Sequence, residues 1–193
     1  MGVKTWTNSE IPSISDLNTY GANHYMKMLY ESTQSAVLVW TGSVFTSEFE
    51  NYFVSISNAT CVTATQTLRC KLTYSNSPAN QIGTNEYYWG QHYIGSDGGS
   101  AFSGASAQAY CQLGELSIDS TKPSNFQMMV YRPALSSGKA ITCRNIGPVG
   151  AVTRNYNIAI DVNTATVCDA LLFYNLNTYT NYMTVRVYGM RQT

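Results

Sequence analysis

The sequence predicts a mostly β protein: an antiparallel jelly roll or β-sandwich with one N-terminal helix. Three observations predict it. Apolar residues recur with period two in runs such as "NYFVSISN" (51–58), "TLRCKLTYS" (67–75) and "MTVRVYGM" (183–190). Turn-forming clusters separate the runs: "SNSPAN", "KPSN", "SSGK", "GPVG" and "NTYTN". After Glu31 no Leu-rich helical pattern follows. Strands without intervening helices pair antiparallel and pack as two sheets.

The one helical pattern comes first. Ser15 can cap a helix and Asp16 sits in its first turn, where negative charge is favoured. Leu17, Gly21, Tyr25 and Met28 then share a face, widened by Ala22 and Leu29. This spacing predicts a helix over 15–31, behind an extended leader containing Pro12 and Ser13. The chain therefore divides into 1–33, a leader and attachment helix, and 34–193, the sandwich.

Eight to eleven strands are expected in the second part. "SAVLVWTG" reads as a buried strand ended by Gly42. Strands follow at "NYFVSISN", "CVTATQ", "TLRCKLTYS" and "EYYWGQHYI". The stretch "GSDGGSAFSGASA" (95–107) reads as a flexible surface loop. Further strands are expected at "AYCQLGELSID", "FQMMVYR", "AITCRNI", "RNYNIAIDV", "ALLFYNL" and "MTVRVYGM".

Composition narrows the function classes. Only 11% of the 193 residues are charged and the formal net charge is zero. No basic patch is available to neutralise phosphates, so no nucleic acid is expected as a partner. A charge-poor surface guards weakly against self-association, which predicts a homo-oligomer. The 15 Tyr suit both strands and adhesive surfaces. The opening "MGVKTW" has no apolar core of a signal peptide, and "AVLVW" is too short to span a bilayer. Synthesis in a reducing cytoplasm and no membrane association are the expectation. Cys61, Cys70, Cys111, Cys143 and Cys168 are widely spaced with no CxxC, so five free thiols are expected rather than a zinc site.

No catalytic constellation stands out, and neither cofactor nor metal is expected. GxSxG is absent, and His24 and His92 lack a carboxylate cluster. Glu48 and Glu50 read as alternating along one strand, and Asp161 and Asp169 as lying near a turn; surface solvation accounts for them better than a glycosidase pair. The most site-like segment is "NEYYWGQHYIG". There Tyr87, Tyr88, Trp89, His92 and Tyr93 crowd together and offer aromatic faces to a sugar or a protein. The competing reading is a strand whose rings fill the core.

Two short stretches resemble tailed-bacteriophage virion proteins. In "TWTNSEIPSISDLNTYGANHYMKML", Trp6, Glu10, Ile11, Leu17, Asn18 and Tyr20 match a leader pattern of Trp, Gly-Glu-hydrophobic and "xLN" opening a helix. Asn8-Ser9 stands where Gly is usual, and Pro12 is added. From "GELSID" to "VRVYGM" the chain is similar to the jelly-roll domains of such proteins, with their terminal Tyr-Gly strand. The resemblance implies a non-enzymatic structural part of a virion, assembled in the host bacterial cytoplasm: a tail fibre-like or capsid decoration protein. It implies other virion proteins as partners and attachment through the leader and helix. Trp6, Ile11, Leu17, Tyr25, Met28 and Leu29 are the expected contacts. The alternative is a carbohydrate-binding module that recognises a host surface glycan, or a glycan-active enzyme.

Overall fold

The computed structural model describes residues 26–62, 66–136, 138–175 and 181–190. Thirteen strands occur among them: β1 (Met26–Ala36), β2 (Leu38–Trp40), β3 (Asn51–Cys61), β4 (Gln66–Tyr74), β5 (Ser77–Gln81), β6 (Tyr87–Gly95), β7 (Ser100–Gln108), β8 (Cys111–Leu116), β9 (Ser124–Tyr131), β10 (Lys139–Val149), β11 (Val152–Val162), β12 (Ala170–Asn175) and β13 (Asn181–Met190). The larger sheet has the order β1-β13-β3-β9-β10-β11-β6-β7. The smaller has β2-β12-β4, with β8 and β5 both pairing with β4. Every named strand pair is antiparallel. The expected β-sandwich is what forms.

The predicted helix is not what the described part of that segment makes. Residues 26–31 belong to β1, which pairs with β13 from Met26↔Met190 to Ala36↔Asn181. The physical reason lies in a register shift between Met28 and Tyr30. A bulge puts two residues opposite one and breaks the alternation, so the triplet Met28-Leu29-Tyr30 imitates the adjacent apolar pair of a helix face. Leu29 and Tyr30 pack against the core instead. The strand also runs across the expected 33/34 boundary. Ser15 to Tyr25 lie outside the described residues.

The expected strand "SAVLVWTG" is cut at Val37, where the chain leaves the larger sheet for the smaller. "SNSPAN" contributes a tight turn and then β5. Ser75 and Asn76 both have positive φ (56° and 51°), as a two-residue hairpin turn matching strand twist requires. The supposed loop 95–107 holds only a short turn, with Gly98 at φ 81°, and then β7. Small side chains leave no apolar contrast in "SAFSGASAQ" from which to read period two.

The core lies between the inner faces. On β9, Phe126, Met128 and Val130 are buried while Asn125 and Gln127 are exposed, so one strand shows the alternation that fixes register. Leu68, Cys70 and Leu72 of β4 do the same from the smaller sheet. All five cysteines are free and buried. Thiol titration should therefore find five per chain in denaturant and almost none in the folded protein. Fewer than five in denaturant would show a bridge that the structure lacks.

Candidate functional site

Strand β6 sorts the expected aromatic cluster onto two faces. Tyr87, Trp89 and Tyr93 point inward. Tyr87 is fully buried, and its hydroxyl accepts the Leu72 N–H at 2.8 Å. Burial pushes its phenol well above the usual range. Trp89 is half-buried, with no acceptor for its indole N–H among the described residues. Tyr93 lies 5.3 Å from the Tyr156 ring and beneath the Arg154 guanidinium at 4.6 Å. Arg154 in turn meets Glu115 at 3.3 Å. Burial raises the Tyr156 phenol to about 12, so it stays a neutral hydrogen-bonding group. For these three rings the core reading is the correct one.

Tyr88 and His92 face outward with Gly90 between them. Register extends this face sideways. Gly90 lies opposite Gly104 of β7 and Ala159 of β11; His92 lies opposite Phe102 and Asn157. Gly90 and Ala159 form the floor of a trough of about 370 Å³. Phe102 forms one wall. It is 81% exposed, and its ring stacks on His92 at 4.2 Å with 13° between planes. Nothing in the sequence singled out Phe102, Gly90, Asn157 or Ala159, because only cross-strand register brings them together.

Other expected residues fall elsewhere. Met28, opposite Tyr188, and Leu29 are in β1 rather than on a free helix. Trp6, Ile11, Leu17, Tyr25 and His24 lie outside the described residues. Glu48 and Glu50 precede β3 instead of alternating along a strand, and pair with Lys27 at 3.5 Å and Arg132 at 2.8 Å. Asp161 is the next-to-last residue of β11, near the point where the chain leaves that strand. Asp169 adjoins β12, where its carboxylate accepts the Asn76 N–H at 2.6 Å. Among the described residues, no group of three or more His, Cys, Asp or Glu is placed to hold a metal ion.

No protein-family model matches this sequence, and neither does any curated protein. Among solved structures, a functionally unknown protein from Saccharomyces cerevisiae aligns over 87% of each chain at 10% identity, with a TM-score of 0.16. A likeness that slight carries no argument about fold or function.

Proposed function

We propose that the sandwich is a jelly roll and that the chain is a non-enzymatic structural component of a tailed-phage particle. It would act as an exterior tail fibre-like or capsid decoration protein, assembled as a homotrimer. The observation that carries the reading is the strand order. The row β1-β13-β3-β9 in one sheet complements β2-β12-β4-β8 in the other. Taken in chain order, these eight strands change sheets at every step except from β4 to β8. Eight strands connected so match the two Greek keys of a jelly roll, an architecture that recurs in viral capsid and lectin domains, and so support the reading. The hairpins β6–β7 and β10–β11 then widen one sheet. Fold alone does not specify function; the leader resemblance at Trp6 to Tyr20 supplies the virion reading.

The test is a reconstruction of the phage particle together with its protein inventory. The chain should co-purify with intact particles and occupy outward-facing density in groups of three. Its absence from washed particles would remove the virion reading. The trough beside Phe102 favours a second reading, a carbohydrate-binding module.

A further inference from the structure

We propose that the outer-face trough of β6, β7 and β11 binds one neutral sugar ring of a glycan, stacked on Phe102. The inference goes beyond the virion reading and does not depend on it.

The first argument is Gly90. A glycine inside a strand weakens it relative to Ala, and usually has a local cause. The other strand-interior glycines have one. A Cβ on Gly104 would meet the Trp89 carbonyl oxygen at 2.9 Å, and Gly114 has φ 105°. A Cβ on Gly147 would collide with Ser124, and one on Gly189 with the Phe49 ring. Gly90 has neither cause: its φ is not left-handed, and a Cβ there would meet nothing within 4 Å. The fold leaves this position open, as a position would be where something outside the chain must approach the backbone.

The second argument is the chemistry around it. Phe102 presents a ring face to solvent, braced from one side by His92. A flat aromatic face suits the C–H face of a pyranose. The side-chain amide of Asn157, exposed and opposite His92, has no hydrogen-bond partner among the described residues, so it can donate and accept with sugar hydroxyls. The trough lining contains no Asp, Glu, Lys or Arg, and Arg144, opposite Asn157 on β10, lies outside it, so the lining itself favours a neutral ligand. The β6 and β11 backbones are already paired on both sides, so an added peptide strand finds no free ladder on the floor. A neutral glycan fits all of these features.

The test uses the full chain with millimolar neutral tetrasaccharides of glucose, galactose and mannose, read by saturation-transfer NMR. At least one should receive saturation on its ring C–H protons. Phe102→Ala and Gly90→Val should each cut that transfer at least tenfold. Gly90→Val should keep or raise the melting temperature, because Val favours strands and its Cβ has room. Phe102 is exposed, so its truncation also spares the fold. No transfer to any of the three sugars, or undiminished transfer in either variant, would overturn the proposal. Loss of self-association in Phe102→Ala, seen by light scattering without sugar binding, would overturn it too and assign the ring to a second copy.

Discussion

A chain beginning at Gln34 is expected to be less stable than one beginning at Met26 by about 3–5 kcal/mol, and to aggregate. The two differ only in residues 26–33, which form most of β1. That segment packs Leu29 and Tyr30 against the core. Each contributes about 1–2 kcal/mol for the area it buries. Ladder hydrogen bonds to β13 add about 0.5–1.5 kcal/mol apiece, offset by the entropy of ordering eight residues. The Thr33 and Thr184 hydroxyls meet at 2.9 Å, and Glu31 pairs with Arg186 at 2.7 Å. The ion pair is partly exposed and adds at most about 1 kcal/mol. Removing β1 also strips the cover from β13, whose unpaired edge then becomes a template for other chains. Urea unfolding of the two chains measures the difference. Equal midpoints would mean that β1 is dispensable and that 26–33 acts as an appendage after all.

Alkali should unfold the protein at a pH where most of its ion pairs are still charged. Burial pushes the Cys111 and Cys143 thiols well above their ordinary range, and Cys168 to about 12. Burial likewise raises the phenols of Tyr52, Tyr87, Tyr156 and Tyr174. In the unfolded chain the thiols ionise near 8.5 and the phenols near 10. Above those values the unfolded state sheds protons that the folded state keeps. The stability these groups confer is therefore fully present below about pH 8.5 and drains away as pH climbs toward their folded values. Each fully buried thiol removes about 1.4 kcal/mol per pH unit in that window. Lys71 and Lys139 act in the opposite sense. Burial lowers both, so raising the pH toward 10.5 relieves a penalty. Two lysines do not offset seven acids. Urea midpoints should hold from pH 7 to 8.5 and then fall steeply, and the fall should be shallower in Cys111→Ala. A midpoint flat to pH 10.5 would contradict the burial of these groups.

How much of this was legible in the sequence depends on contrast. "FQMMVYR" and "TLRCKLTYS" alternate large apolar with polar residues, and β9 and β4 lie where that alternation puts them. β7 was invisible because Ser, Ala and Gly look alike on both faces. β1 was misread because a bulge mimics helical spacing, and because its pairing partner, β13, lies at least 145 residues away. Local pattern cannot report a partner so distant. The aromatic segment was half legible. Its location in a strand was clear, but its five rings read as one crowd, whereas the strand turns Tyr88 and His92 to the face opposite Tyr87, Trp89 and Tyr93. The ring that completes the trough, Phe102, arrives by register from a strand the sequence concealed.

The Met26↔Met190 pairing also sets a clock. The larger sheet cannot finish its β1 edge until β13 exists. At roughly 5–20 residues per second, a ribosome takes on the order of 10–30 s to make the stretch between them. During that wait β1 is a strand without a partner, and β3 lacks the neighbour that will separate it from β1. Such distant closure makes for slow folding. It also leaves the nascent chain vulnerable at a strand made long before its partner. Neighbouring ribosomes on one message would hold several unpartnered β1 segments close together, each able to accept the β13 of another chain. Whether a given copy closes on itself or exchanges strands with a sibling is then decided by local concentration during synthesis.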